Sequence, residues 1–310
     1  MKIALPSDYR DSLASLPASV QAHWYKTLDE ALEAVVGADA MWYHLDPREA
    51  PRVLAAGPAL RWLSTVGAGM DRWPLEVLRE RGMLVSNGAG LASVPIAEYT
   101  VALMLAVGRG LETILNANRR GEWDPKGPGD RELNGSRALV VGYGHIGQAI
   151  AERLRPFGVE VTGVRRRPDG ASGVIGAEAW QARLGEFDWV ILANPLTAQT
   201  RHQLGAAEIA AMKPGAWVVN IARGELIDDA ALIPALRSGH VGGAVLDAFA
   251  TEPLPPDHEF WRLENVIVTP HISWKSSRSR RRAADLFLAN LDSFLRGEPL
   301  SNLVDLEAGY

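Results

Sequence analysis

Three short stretches of the sequence each bring a chemically capable side chain to what reads as the end of a β-strand. "VVNIARGELID" carries Arg223, "VLDAFATEP" carries Asp247 and Glu252, and "VIVTPHIS" carries His271. A guanidinium, a carboxylate and an imidazole are the groups needed when negative charge builds on a carbonyl oxygen. The guanidinium holds and polarises the substrate, the imidazole donates a proton, and the carboxylate orients the donor. A free imidazole is only partly protonated at neutral pH, and a carboxylate beside it favours the charged ring. Singly, each residue has a plainer reading: a sheet-end salt bridge, a turn carboxylate, a hydrogen-bonded core histidine. The intervals between them mean nothing unless successive parallel strands end at one rim, where open α/β sheets bind ligands.

A second constellation lies upstream. In "ALVVGYGHIGQ", Gly142, Gly144 and Gly147 stand in G-x-G-x-x-G spacing, after an apolar strand and at the start of a helical pattern through His145 and Ile146. The first glycine permits a tight turn, the second lets the backbone approach a pyrophosphate, and the third lets helix and strand pack closely. The unpaired N–H groups at the helix start then face the phosphates. The spacing alone is weak; strand, turn, helix and next strand together predict a dinucleotide site. An acidic residue reading the ribose is expected about 20 residues further on. Arg165, Arg166 and Arg167 stand there instead. Arginine has no acceptor for ribose hydroxyls, but its fork matches a phosphate. The cluster therefore predicts NADP(H) as the preferred cofactor, with NAD(H) as the alternative and a solvated basic turn as the plain reading.

The elements that must position these groups follow from the pattern of apolar runs. In the first part, strands are predicted at Lys2–Pro6, Ala40–Leu45, Arg61–Val66 and Met83–Ser86, with helical spacing at Thr27–Val36 and Pro74–Arg81. A long helix begins near Pro95 and runs past Ala106. "RRGEWDPKGPGDRELNGSR" reads as loop. Beyond it, strands are predicted at Arg137–Val141, Val159–Val164, Trp189–Ala193, Ala216–Ile221, Gly243–Asp247 and Val266–Thr269. Helices are predicted at Ile146–Arg155, Glu178–Leu184, Ala206–Met212, Asp228–Arg237 and Arg278–Arg296. This alternation predicts two α/β units with doubly wound parallel sheets.

Composition narrows the classes. The 310 residues are 47% hydrophobic and 22% charged, with net charge −5 and no cysteine. Disulfides, thiolate chemistry and Cys-ligated metals are excluded. An acidic chain gives no general reason to bind nucleic acid or an anionic membrane. The most apolar run, "IAEYTVALMLAVG", is interrupted by Glu98 and too short for a membrane span. The N-terminus reads as a first strand rather than a signal peptide, so a cytoplasmic protein is expected. "PPDHEFW" places His258 between two acids without a second histidine at ligand spacing, so no metal site is predicted. "SWKSSRSRRRAAD" reads as a solvated helix face, from which one arginine, Arg278 or Arg282, could reach the site.

The set "GYGHIGQ", "NPLTAQT", "VVNIARGELID", "GAVLDAFATEP" and "VIVTPHIS" resembles the D-isomer-specific 2-hydroxyacid dehydrogenase family. "HIS" followed by "LFLANLDSFLRGEPLSNLVD" resembles its glyoxylate and hydroxypyruvate reductase-like members. The likeness is dense from about residue 60 onward and weak before it. It implies two Rossmann-like domains with an interdomain active-site cleft. Residues 1–94 plus 275–310 form the substrate-binding domain, and 95–274 form the nicotinamide-dinucleotide domain. It implies hydride transfer between NADP(H) and a small 2-keto or D-2-hydroxy acid, and a homodimer. Arg223, Glu252 and His271 become the catalytic residues. Asn194, Pro195, Thr200, Ile221 and Ala222 lie along the cofactor, and Asp247 contacts the nicotinamide carboxamide. The loop "STVGAGMDRW" places Gly67, Ala68 and Gly69 as an anion nest for the substrate carboxylate; its plain reading is an ordinary strand–helix turn. Trp274 departs from the family, which often has a small residue there, and is expected to narrow the substrate pocket. Trp42 and Tyr43 are read as core residues before cleft residues. Two rival functions share the scaffold: oxidation of another small anion such as phosphite, and non-catalytic dinucleotide sensing.

Overall fold

The structure, a computed structural model, describes residues 1–13, 15–123, 129–168 and 170–309. The chain forms two compact units, Met1–Ala92 with Ser276–Tyr310, and Ser93–Lys275. Each is built on a fully parallel sheet, as the alternation predicts.

In the first unit the strands are β1 (Lys2–Pro6), β2 (Gln21–Tyr25), β3 (Ala40–Tyr43), β4 (Trp62–Thr65) and β5 (Leu84–Ser86), in the order β2-β1-β3-β4-β5. Successive side chains point to opposite faces of a strand. Ala4, Met41, Tyr43, Leu63 and Val85 therefore pack with α1 (Leu28–Ala34), α2 (Ala50–Ala56) and α3 (Leu75–Glu80). Helix α1 opens on a capping box, Thr27 bonding the Glu30 amide while the Glu30 carboxylate returns to the Thr27 amide.

The opposite face, Ile3, Leu5, Ala40, Trp42 and Trp62, packs on Ala283, Ala284, Phe287 and Leu291 of the C-terminal helix Ser279–Arg296. Trp42 stacks on Phe287 at 4.5 Å between ring centroids and 6° between planes. Trp42 and Tyr43 are thus core residues. Strand β2 escaped the sequence reading because it is a half-buried edge strand without an apolar run.

The second unit begins with α4 (Ser93–Gly108), which meets α5 (Leu111–Arg119) at 69°. Among the described residues no single helix is long and apolar enough to cross a membrane. The sheet comprises β6 (Arg137–Val141), β7 (Glu160–Arg165), β8 (Val174–Gly176), β9 (Trp189–Leu192), β10 (Ala216–Asn220), β11 (Val241–Leu246) and β12 (Val266–Val268). Their order is β12-β11-β10-β9-β6-β7-β8. The chain winds outward from β6 to β8 and returns to β9 on the other side. The switch point therefore falls between β6 and β9, where such sheets bind ligands at their carboxyl ends.

Helices α6 (His145–Leu154), α7 (Ala206–Ala211) and α8 (Asp229–Ser238) make the crossovers, and the final helix is α9 (Ser279–Arg296). The helix predicted at Glu178–Leu184 is instead a 3-10 turn at Gln181–Glu186. It holds Gly185 and buries just Leu184 of its own residues, between the buried Trp180 and Phe187 at its ends, too little apolar face to support an α-helix. Helix α2, helix α5 and strand β8 were not read from the sequence. Residues 124–128 of the predicted loop lie outside the described residues, as does Asp169 beyond the arginine cluster.

Candidate active site

The three catalytic candidates belong to one rim of the second unit's sheet. Asn220, Leu246 and Val268 are partners in register at the ends of β10, β11 and β12. Adjacent strands lie about 4.8 Å apart, so the loops that leave them carry Arg223, Glu252 and His271 into one neighbourhood. His271 Nδ1 lies 3.0 Å from both oxygens of Glu252. Glu252 is itself fixed, accepting the Phe249 amide proton at 3.0 Å. With Nδ1 committed to the carboxylate, Nε2 is the nitrogen that can exchange a proton with a ligand.

Arg223 sits in a turn that the sequence reading did not explain. Asn220 is completely buried. Its side-chain amide donates to the Arg223 carbonyl at 2.9 Å, and its amide oxygen accepts from Ala222 N–H at 3.1 Å. The Asn220 main-chain carbonyl accepts from the Asp247 amide at 2.9 Å, tying the arginine turn to the next loop. Gly224 completes the join. A Cβ built there would lie 2.0 Å from the Phe249 carbonyl carbon, so a glycine is required where the two loops close on each other. Its signal in the sequence was present, a glycine directly after the arginine, but its partner was not visible.

Asp247 exposes no surface, and its Oδ1 accepts from the Thr269 hydroxyl at 2.7 Å and the Ile272 amide at 3.0 Å. Its Oδ2 accepts from the Ser273 amide at 3.0 Å. The carboxylate is thus enclosed by donors from the loop that carries His271. Trp274 is half-exposed, and its indole N–H donates to the His271 carbonyl at 2.9 Å.

The dinucleotide turn has the form its glycines predict. Gly142 adopts φ +98° and lies against the Ala193–Asn194 backbone across the switch point. Gly147 packs on the Gly142 carbonyl, whereas nothing lies within 4 Å of a Cβ built on Gly144. That open space stands before the N-terminus of α6, whose unpaired amides and positive dipole end suit a pyrophosphate. These residues fit a bound dinucleotide. His145 and Ile146 form the first turn of α6.

Arg165 ends β7 and donates from Nε to the Tyr143 carbonyl inside the glycine turn at 2.6 Å. Arg166 and Arg167 follow on the exposed surface. Asn194 and Gln203 exchange side-chain hydrogen bonds, and Thr200 donates to the Pro195 carbonyl at 2.9 Å. The stretch from 194 to 203 is thereby folded as a stiff loop after β9, at the switch point. Ile221 is almost wholly buried and Ala222 partly so.

In the first unit, the loop after β4 also has a defined polarity. The Gly67 carbonyl accepts from the Thr65 hydroxyl and the Gly88 amide, and the Ala68 carbonyl accepts from the Asn87 side chain. Across a trans peptide the N–H points away from the C=O. The amides of Ala68 and Gly69 therefore turn from these partners, and residues 67 to 69 are exposed. Of the arginines near the start of α9, Arg281 pairs with Asp285, Arg282 donates to the Leu91 carbonyl, and Arg280 lies over the Tyr9 ring. Arg278 stands at the helix cap. Among the described residues no group of three or more potential ligands is set to hold a metal ion.

Two parallel-sheet α/β units, one with a glycine turn and an imidazole–carboxylate pair at the carboxyl ends of the same sheet's strands, define a nicotinamide-dependent dehydrogenase class. The family model for the D-isomer specific 2-hydroxyacid dehydrogenase NAD binding domain matches residues 101–273. A glyoxylate reductase from Thermofilum pendens is 34% identical over 295 residues, covering 92% of this chain and 86% of the relative. A D-3-phosphoglycerate dehydrogenase from Methanocaldococcus jannaschii is 34% identical over 284 residues, and the chain spans about half of its length (54%). A D-isomer specific 2-hydroxyacid dehydrogenase from Xanthobacter autotrophicus, solved with NADPH and MES, superposes with a TM-score of 0.83. It is 30% identical and covered over 99% of both chains. The chain belongs to the D-isomer specific 2-hydroxyacid dehydrogenase family, oxidoreductases that act on the CH–OH group of 2-hydroxy acids with a nicotinamide dinucleotide.

Proposed function

We propose that this protein reduces small 2-keto acids, glyoxylate or hydroxypyruvate first among them, to the corresponding 2-hydroxy acids, of D configuration where the product is chiral, with NADPH preferred over NADH. The observation that carries the reading is the His271–Glu252 pair, with Nδ1 held at 3.0 Å by both carboxylate oxygens. A nicotinamide dinucleotide, when bound, supplies the hydride that adds to the keto carbon. Arg223 holds the substrate carboxylate and polarises the carbonyl through charge-assisted hydrogen bonds. His271 gives the Nε2 proton to the carbonyl oxygen as charge develops there, and Glu252 fixes the ring through Nδ1. In the oxidative direction the same nitrogen accepts the proton. The Gly67, Ala68 and Gly69 amides are proposed as a second carboxylate ligand, and Trp274 as a limit on substrate size.

On the cofactor side, Gly142, Gly144, His145, Ile146 and Gly147 are assigned to the pyrophosphate turn, and Asn194, Pro195, Thr200, Ile221 and Ala222 to the cofactor's path. Arg165, Arg166 and Arg167 are assigned to the 2′-phosphate: no acidic residue ends β7, and the Arg165 guanidinium is anchored to the glycine turn itself. The relative solved with NADPH is in keeping with this preference. We also propose a cytoplasmic homodimer. The absence of cysteine suits a reducing compartment, and Leu111, Ile114 and Leu115 leave an exposed apolar edge on α5.

The test is cofactor oxidation against glyoxylate, hydroxypyruvate, pyruvate and longer keto acids, with His271→Gln as the control. Turnover on the small acids, lost in His271→Gln with cofactor binding retained, is expected. Cofactor binding without turnover on any of them would favour dinucleotide sensing. Light scattering of the purified chain tests the dimer.

A further inference from the structure

His271 has an unusual backbone for a side chain expected to move protons. Its φ is +52°, in the left-handed region that non-glycine residues seldom occupy. Such a conformation persists when its surroundings over-determine it. Here the surroundings can be named. The Asp247 carboxylate gathers the Thr269 hydroxyl and the Ile272 and Ser273 amides, so it grips the chain on both sides of His271. The His271 amide donates to the Thr269 carbonyl at 3.0 Å. The His271 carbonyl is taken by the Trp274 indole N–H at 2.9 Å.

We propose that Asp247 and Trp274 are positioning residues that clamp the His271 peptide, and that the clamp sets the aim of the imidazole at the substrate oxygen. The proposal rests on His271 as the proton donor. Asp247 is suited to this work because its charge is wholly enclosed. A buried carboxylate is retained when donors satisfy it, and here the donors come from the segment that carries the histidine. Trp274 acts from the other side. Its ring is half in solvent, so burial alone does not hold it; the indole hydrogen bond ties it to the peptide it restrains. Thr269 links the two layers, accepting the His271 amide with its carbonyl and donating its hydroxyl to Asp247.

The experiment compares Asp247→Asn, Thr269→Val and Trp274→Phe in the full chain. It measures kcat with glyoxylate and saturating NADPH, NADPH affinity by fluorescence, folded fraction by circular dichroism, and the isotope effect with NADPH deuterated at the transferring position. An Asn amide cannot accept from all three donors, so kcat should fall about 10²-fold, the loss that a misplacement near 1 Å brings. Trp274→Phe and Thr269→Val each remove one hydrogen bond and should lower kcat about threefold to tenfold. NADPH affinity should hold, and the isotope effect should grow as the chemical step becomes limiting; lost folding alone would leave it unchanged.

Folded Asp247→Asn with undiminished kcat overturns the clamp. So does weakened NADPH binding with kcat intact, which would assign Asp247 to the cofactor. If Asp247→Asn does not fold, the other two variants decide, and unchanged kcat in both overturns the proposal. Full turnover in His271→Gln would remove the functional reading and the clamp with it. An inactive His271→Gln beside fully active clamp variants defeats the clamp alone.

Discussion

Replacing Gly224 by alanine should separate the loops that carry Arg223 and Glu252. The added Cβ would stand 2.0 Å from the Phe249 carbonyl carbon, 2.1 Å from the Ala250 nitrogen and 2.4 Å from the Phe249 Cα. All three neighbours are backbone, so no side chain can rotate away. Restoring an ordinary carbon contact of about 3.5 Å requires the two loops to part by roughly 1.5 Å. Displacements near 1 Å cost about 10²-fold in rate when they disturb reacting geometry, or about 2.7 kcal/mol of transition-state stabilisation. The expected kcat/KM for glyoxylate reduction is therefore at least about 10²-fold below that of the parent. NADPH affinity should fall less than kcat/KM, because the pyrophosphate turn leaves β6, and of the proposed cofactor residues just Ile221 and Ala222 leave β10. Gly239→Ala at the end of α8 is the control: nothing lies within 4 Å of a Cβ there, so its cost is backbone strain in stability alone. Cofactor oxidation followed spectrophotometrically, with urea melts to verify folding, measures both. A folded Gly224→Ala protein within about threefold of the parent kcat/KM would refute the idea that this backbone contact sets the spacing of guanidinium and carboxylate.

Arg165→Asp should move the kcat/KM preference from NADPH toward NADH, since a carboxylate accepts from the ribose hydroxyls and repels a 2′-phosphate; an unchanged ratio there and in Arg166→Asp removes the arginine assignment. Trp274→Gly should widen the range of keto acids accepted, read as kcat/KM across acids of increasing length, and an unchanged profile ends the size-limiting role. Burial first, with Lys2 adding to it, lowers the His23 pKa, and burial likewise lowers that of His44, where Asp8 opposes and Arg280 reinforces the shift. Both rings are neutral in the folded state where the unfolded chain would bind protons, so stability should fall as pH drops below about 6.5. Urea melts at pH 5, 6 and 7 should show this slope, with a shallower one in His23→Asn.

Much of the fold was legible because parallel strands buried on both faces must be written as apolar runs. Lys2–Pro6 and Arg137–Val141 were placed to the residue, and the helices around Pro95 and Ala206 to within a few positions. Elements that escaped are those whose stability comes from elsewhere. β2 is a half-buried edge strand, and α5 buries none of its residues. The site divided in the same way. Arg223, Glu252 and His271 were visible as chemistry at predicted strand ends. Asn220 and Thr269 were not, because a buried amide or hydroxyl that serves a neighbouring backbone carries no local signature.

The sequence by itself determined the two α/β units, the glycine turn and the side chains able to manage charge on a carbonyl oxygen. These follow from periodicity and residue type, which are local properties. The tertiary structure decided that β10, β11 and β12 end in register, so that Glu252 meets His271 across a separation of 19 residues. It also decided that the Asp247 carboxylate takes the Ile272 and Ser273 amides of the histidine loop. Strand order, register and the direction of a carboxylate depend on what packs beside them, and a linear pattern does not specify its neighbours.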